Sequence, residues 1–292
     1  MKMNKPTIVF FGTDKNSVMI LDALVEGGFT PGIIVTTPDT KQGRKMLLTP
    51  PPVKDWAIEK NIPLLQPEKL DKDFIEKLEE EKLRSNFSSL DLFIVASYGK
   101  IIPEKVLNIP THKTLNVHPS LLPLYRGATP MESAMLDDAK ETGVTIIRMD
   151  NEMDHGPIIE QEVVFFEEWP IKPVVAEKLF SVGGQLLVEL IPEWISGNID
   201  EQDQDHELAT YTKKIKKEHG EINFKDGSRK NFLKIQAYNP WPGSFFFHKK
   251  DDREIRVKIT EAEFKNGKLN ILKVIPEGKK EMSYEDFVSR NS

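Results

Sequence analysis

Residues Thr7–Gly12 read TIVFFG, and Thr7–Phe11 are strand-forming without polar alternation. A strand of that kind must be covered on both faces, the position of a strand in a parallel sheet between helix layers. The next stretch is amphipathic and predicts a helix from Asn16 to about Glu26, ended by Gly27-Gly28. Ile33–Thr36 is a second strand, and the same rhythm then repeats. Helices are expected at Val53–Lys60 and Asp71–Arg84, with a short strand near Pro63–Gln66. Asp91–Ala96 and Thr114–His118 are strands, Pro130–Asp138 a helix, Val144–Met149 and Ile158–Phe166 strands, and Lys172–Ser196 a long helix stopping at Gly197. Short apolar runs alternating with amphipathic segments define an α/β domain with a mostly parallel sheet. One interval breaks the rhythm. Thr37–Pro52 (TPDTKQGRKMLLTPPP) is dense in turn formers and prolines and predicts a long irregular loop, made basic by Lys41, Arg44 and Lys45.

The acidic segment Ile199–Leu208 (IDEQDQDHEL) lacks apolar periodicity and marks a boundary. Residues 1–198 form the expected first domain, 199–209 a linker and 210–292 a second domain. In the latter, Phe232–Tyr238 predicts a helix, and Pro240–Gly243 turns into alternating runs at Ser244–His248, Glu254–Thr260 and Lys268–Val274. Short strands joined by tight turns point to a small β-barrel.

A chain of 292 residues accommodates two domains at roughly 150 residues each, so no covalent staple is needed. With no cysteine, disulfides, thiolate metal sites and thiol nucleophiles are excluded together, and a reducing compartment fits. The apolar run before Gly12 is too short for a signal peptide and no run reaches the length of a membrane span, so a cytoplasmic protein without membrane contact is expected. The formal net charge of -6 is unevenly distributed. From Thr210 to Ser292 there are 19 Lys+Arg against 12 Asp+Glu, a balance of +7, which leaves -13 for the rest. A basic tail on an acidic body suits a polyanion partner; a chance excess of solvated lysines is the plainer account.

Phe11-Gly12-Thr13 lacks the later glycines of a dinucleotide fingerprint, and no phosphate-binding P-loop, zinc-protease helix motif or serine elbow occurs. The informative stretch is Leu115–Pro130, LNVHPSLLPLYRGATP, at the carboxyl end of a strand, where ligands of open α/β sheets collect. Asn116 and His118 are two apart and share a face, and Pro119 keeps His118 extended. A core Asn–His pair serving nearby loops would look the same. A second strand end carries Asp154 within Met149–Pro157 (MDNEMDHGP), where an Asp could equally bond its own turn. A carboxylate, an imidazole and a carboxamide at neighbouring strand ends supply a proton acceptor and two oxyanion donors, the requirements of acyl transfer to an amine. With neither a nucleophilic Cys nor an elbow Ser, direct transfer is favoured over an acyl-enzyme.

These two stretches, NVHPSLLPLYRGATP and GVTIIRMDNEMDHGPII, resemble the core of the folate-dependent formyltransferase superfamily. The resemblance implies a Rossmann-like first domain in which Asn116, His118 and Asp154 are catalytic, with Asp154 relaying protons through an ordered water. It implies further that Ser120, Leu121, Leu122 and Pro123 contact 10-formyltetrahydrofolate, that Ser97, Tyr98 and Gly99 lie beside its pterin, and that no metal takes part. Ala209–Ile215 (ATYTKKI), Ile235–Gly243 (IQAYNPWPG) and Pro276–Ser283 (PEGKKEMS) resemble, in order, the carboxy-terminal domain of the branch that formylates methionyl initiator tRNA. By that resemblance the second domain is an OB-like barrel, shortened between Gly243 and Pro276, and Pro38–Lys54 is the insertion that reaches the tRNA acceptor end, Gly43-Arg44 matching its Gly-Arg element. Arg44, the cluster Lys213, Lys214, Lys216 and Lys217, and the pair Lys279 and Lys280 are the expected tRNA contacts. A monomer is expected. The rival within the superfamily is a sugar-nucleotide N-formyltransferase with the same trio, and the role of His155, beside Asp154, is open.

Overall fold

In the computed structural model, which describes residues 5–43, 46–250 and 253–290, the first strand is β1 (Ile8–Gly12), buried at every position. Helix α1 (Lys15–Glu26) follows, capped by Asp14, whose side chain accepts from the backbone N–H groups of Asn16 and Ser17. Burial pushes the Asp14 carboxyl above its ordinary pKa, against those hydrogen bonds. The chain continues through β2 (Ile33–Val35), the hairpin β3 (Thr40–Gln42) and β4 (Leu47–Thr49), α2 (Pro52–Glu59), β5 (Leu64–Leu65), and α3 (Lys72–Arg84) with Asp71 as its cap. Next come β6 (Leu92–Ala96), the short α4 (Glu104–Leu107), β7 (Thr114–His118), α5 (Pro130–Leu136), β8 (Thr142–Arg148), β9 (Ile158–Val164) and α6 (Lys172–Ile195).

Seven of these strands form one sheet in the order β5-β2-β1-β6-β7-β8-β9. From β5 to β7 all pairs are parallel, and β8 runs antiparallel to β7. Val9, Phe11, Phe93 and Val95 of β1 and β6 build a core with Phe74 and Leu78 of α3 on one side of the sheet. Ile8, Phe10 and Ile94 are equally buried on the other, which is why the run does not alternate. Each such side chain contributes about 1.5–3 kcal/mol on burial. Helix α6 packs closely through a glycine pair: a Cβ on Gly183 would sit 2.7 Å from the Val117 side chain, and one on Gly184 would sit 2.6 Å from Ala23.

The Thr37–Pro52 stretch, expected to be irregular, holds a short hairpin: its prolines flank the two strands and Gly43 sits in the turn between them. Thr40 pairs with Thr49 and Gln42 with Leu47, while Gly43 takes a φ of 70°, open to glycine at little cost. Arg44 lies outside the described residues.

Two compact units emerge, each of three segments. The first comprises Met1–Gly127, Gly143–Val164 and Glu177–Tyr211; the second Ala128–Thr142, Phe165–Ala176 and Thr212–Ser292. The segment 199–209, read as a linker, is held in the first unit: Gln202 exchanges backbone hydrogen bonds with Ile158 at 2.8 and 2.9 Å.

The second unit carries α7 (Ser228–Ala237), longer at its start than the sequence implied, then β10 (Phe245–Lys250), β11 (Arg253–Lys265), β12 (Lys268–Pro276), β13 (Met282–Ser283) and α8 (Tyr284–Ser289). Its β-structure is a four-stranded antiparallel meander, and among the described residues no pair between β10 and β13 closes it into a barrel. Ile222, Ile235, Phe246, Val257, Val274 and Phe287 form its core. Arg229 joins its three segments, with paired hydrogen bonds to Asp138 (2.8 and 2.6 Å) and to Glu168 (2.6 and 2.7 Å). No helix among the described residues is long and apolar enough to cross a membrane.

Candidate active site

Strand β7 places Asn116 between Val95 of β6 and Ile147 of β8, and His118 beside Thr145. Both side chains are largely buried, at 9% and 4% exposure, on one face of the strand. The Asn116 carboxamide makes no hydrogen bond among the described residues, leaving its N–H groups available to a ligand. His118 is held through Nε2, 3.2 Å from the carbonyl oxygen of Tyr125. A carbonyl only accepts, so the neutral ring carries its proton on Nε2. The other nitrogen, Nδ1, faces Oδ1 of Asp154 at 3.5 Å.

Asp154 reaches this position from a tight turn after β8, in the left-handed region with a φ of 51°. Its Oδ2 accepts from the Gly127 N–H at 2.7 Å. The turn is compressed at Gly156, where a Cβ would collide with the Arg148 carbonyl oxygen. His118 and Asp154 are thus brought together, and Asn116 shares the face of His118.

The segment after β7 is tied down by hydrogen bonds. The Ser120 hydroxyl donates to the Leu124 carbonyl at 2.8 Å, and the Thr145 hydroxyl donates to the Ser120 carbonyl at 2.6 Å. Leu122 N–H donates to Thr145 Oγ1 at 3.1 Å, and Gln161 Nε2 donates to the Leu122 carbonyl at 2.8 Å. The Leu122 side chain is buried with Ile147 and Ile158, Leu121 and Pro123 are half-buried, and the Leu122–Pro123 peptide is cis. On the neighbouring strand end, Ser97 and Gly99 have φ of 50° and 76°, and space is open where a Gly99 Cβ would project. Between them Tyr98 is buried, its hydroxyl unpartnered among the described residues, and burial pushes its pKa up to about 12. The Tyr98 carbonyl accepts from the Thr13 hydroxyl at 2.8 Å.

Sequence reading missed Arg126, Gln204, His206 and Tyr211. Arg126 is 1% exposed and donates to Gln204 Oε1, His206 Nδ1 and the Tyr211 hydroxyl. An Arg next to Gly127 in YRGATP and one of two Gln in an acidic stretch carry no signal by themselves. His155 bonds Asp150 at 2.7 Å and stacks on His206 with ring centres 4.0 Å apart. In the second unit Lys213, Lys214, Lys216 and Lys217 are exposed around the buried Ile215, and Lys279 and Lys280 are exposed between β12 and β13. No group of His and carboxylate side chains suited to a metal occurs among the described residues.

Comparison with known proteins matches residues 5–189 to the formyl transferase family and residues 214–268 to the formyl transferase C-terminal domain. The class so defined is an enzyme of the formyl transferase type with both domains. A methionyl-tRNA formyltransferase of Thermodesulfovibrio yellowstonii is 36% identical over 304 aligned positions, covering 97% of this chain and 95% of that one. The chain belongs to the methionyl-tRNA formyltransferase family. Among solved structures, a methionyl-tRNA formyltransferase from Clostridium thermocellum superimposes with a TM-score of 0.59 at 17% identity, covering 95% of this chain and 99% of that one. A sugar N-formyltransferase from a Shewanella species does so with a TM-score of 0.63 at 17% identity, covering 89% and 99%. At that identity both structures speak to the fold alone.

Proposed function

We propose that this protein transfers the formyl group of 10-formyltetrahydrofolate to the α-amine of methionyl initiator tRNA, with Asn116, His118 and Asp154 as the catalytic residues. The observation that carries the reading is the approach of His118 to Asp154 at 3.5 Å, beside an Asn116 carboxamide that has no hydrogen-bond partner among the described residues. The amine attacks the formyl carbon, a C–N bond forms, and the carbonyl oxygen becomes an oxyanion to which Asn116 donates. Asp154 takes the proton the amine loses; with the ring proton of His118 held by the Tyr125 carbonyl, its Nδ1 serves as the place where that proton can be passed on rather than as the second oxyanion donor expected from the sequence. Collapse breaks the carbon bond to N10 of the folate, which takes up a proton and leaves as tetrahydrofolate. No acyl-enzyme intervenes.

The fit to a folate donor rests on two strand-end segments, Ser120–Pro123 and Ser97–Gly99, the second with a buried hydroxyl at Tyr98 that has no partner among the described residues. Residues 210–292, with Lys213, Lys214, Lys216, Lys217, Lys279 and Lys280, supply affinity for the tRNA backbone, and Arg44 contacts the acceptor end. The reaction belongs to the cytoplasm, where initiator tRNA is charged. Fold likeness alone does not separate tRNA from amino-sugar acceptors, since both kinds of structure superimpose on this chain at 17% identity. Formyl transfer measured with charged initiator tRNA and with amino-sugar nucleotides decides between them. A higher kcat/KM for the sugar acceptor overturns the reading.

A further inference from the structure

The segment Ile199–Leu208 looks like a solvated acidic link, yet Gln204 within it is only 5% exposed. Its backbone is pinned on both sides. Gln202 pairs with Ile158, and further along Arg126 N–H donates to the Thr210 carbonyl at 2.8 Å while Tyr125 N–H donates to the Thr210 hydroxyl at 2.8 Å. From this fixed position the Gln204 carboxamide uses both its ends. Nε2 donates to the carbonyl of Asp154 at 2.9 Å and to that of Gly156 at 2.7 Å. Oε1 accepts from Arg126 Nε at 3.2 Å and from Nη2 at 2.7 Å.

We propose that Gln204 is a positioning residue that sets the Asp154 carboxylate by clamping both of its supports. One support is the turn itself, whose left-handed residue and crowded glycine give Asp154 a narrow range of directions. The other is Gly127, whose N–H fixes Oδ2 and whose neighbour in the chain is the Arg126 that Gln204 holds. Arg126 has no carboxylate partner among the described residues, so its buried guanidinium depends on neutral acceptors: Gln204, His206 Nδ1 at 2.8 Å and the Tyr211 hydroxyl at 3.3 Å. A carboxamide is the group that can accept from a cation at one end and donate to two carbonyls at the other. A carboxylate at this place would keep Arg126 and repel the turn, and an apolar residue would release both. Displacement of a proton acceptor by about an ångström is enough to lower turnover by around a hundredfold. The inference rests on Asp154 being the proton acceptor.

The test is a kinetic cycle on the full-length enzyme with Gln204→Ala, Gln204→Glu, Asp154→Asn and each Gln204 variant combined with Asp154→Asn, measured with charged initiator tRNA and 10-formyltetrahydrofolate. Both Gln204 variants are expected to lower kcat about 10- to 100-fold with each KM changed less than threefold. Gln204→Glu keeps the Arg126 partner and the fold, which separates loss of the turn clamp from loss of structure; thermal unfolding checks this. On an Asp154→Asn background either Gln204 substitution should change the residual rate less than twofold, because the group it positions is already disabled. Normal kcat in Gln204→Glu, or full multiplication of the two losses, overturns the Gln204 proposal while Asp154 keeps its role. Near-normal turnover of Asp154→Asn alone overturns the Asp154 reading, and this proposal with it.

Discussion

The backbone N–H of Gly127 donates to Oδ2 of Asp154 at 2.7 Å, which commits one carboxylate oxygen and leaves Oδ1 turned toward His118. An amide at position 154 preserves the shape but cannot accept a proton from the attacking amine. Asp154→Asn should therefore lose about 10²- to 10⁴-fold in turnover, as much as Asp154→Ala, with folate affinity little changed. Single-turnover formyl transfer checks this, and an active Asn variant would place the base elsewhere.

The turn that carries Asp154 has no slack at Gly156. A methyl group there meets the Arg148 carbonyl oxygen, which is backbone and tied into the sheet: the neighbouring Arg148 N–H donates to the Pro157 carbonyl at 3.0 Å. Gly156→Ala must shift the turn. Overpacking of this kind costs about 1–3 kcal/mol, and turnover should fall at least tenfold because Asp154 moves with it. Urea unfolding and kcat are the two measurements; a variant normal in both would show that the turn can yield.

Much of this was legible beforehand, and the boundary between what was and what was not is physical. IVFF, LFIVA and TLNVH are buried on both faces, so local composition dictates their state, and Thr114–His118 emerges with its expected limits. The shared face of Asn116 and His118 follows from a period of two. The hairpin at Thr40–Thr49 was hidden because Lys, Gln and Leu pair there through backbone bonds rather than an apolar pattern. Helix α8 did leave a mark: Ser283 caps it, its hydroxyl accepting from Asp286 N–H at 3.1 Å, but two turns of helix are too short to show periodicity. The Gln204–Arg126 network had no local signal. It joins residues 78 apart through side-chain ends, and only the folded chain places them together.

In the second unit the Arg229 guanidinium, through its hydrogen bonds, holds the Asp138 carboxyl below its ordinary pKa. A depressed folded pKa means the pair stabilises the protein fully above the unfolded value of 3.8, and that stability disappears as pH falls through the folded value. Both side chains are about a third or more exposed, so solvent screening limits the contribution to about 1 kcal/mol. Asp138→Asn should thus lower the unfolding temperature at pH 7 by a few degrees and by progressively less at low pH, below 3.8. An equal deficit at pH 7 and at low pH would mean that packing, not charge, is lost.

The basic residues of the tail give the last expectation. Lys213, Lys214, Lys216 and Lys217 flank the buried Ile215, which anchors the segment and leaves the four ammonium groups in solvent. Lys216 has an acidic neighbour, Glu218 at 3.8 Å, and both are well exposed, so that pair is weak competition for a phosphate. Lysines that meet a polyanion release its counterions, and affinity then falls with salt by about 0.9 units of log–log slope for each phosphate neutralised on a duplex. Such contacts position the tRNA without reading its bases. Replacing all four by Ala should raise the KM for tRNA at least tenfold at moderate salt and flatten its salt dependence by roughly two to four units of slope. The turnover number should stay within about threefold, because the proposed catalytic residues follow β7 and β8 in the other unit. Measuring KM and kcat between low and physiological salt tests both halves. An unchanged salt slope would reduce the cluster to solvated charge and return the choice of acceptor to the amino-sugar nucleotides.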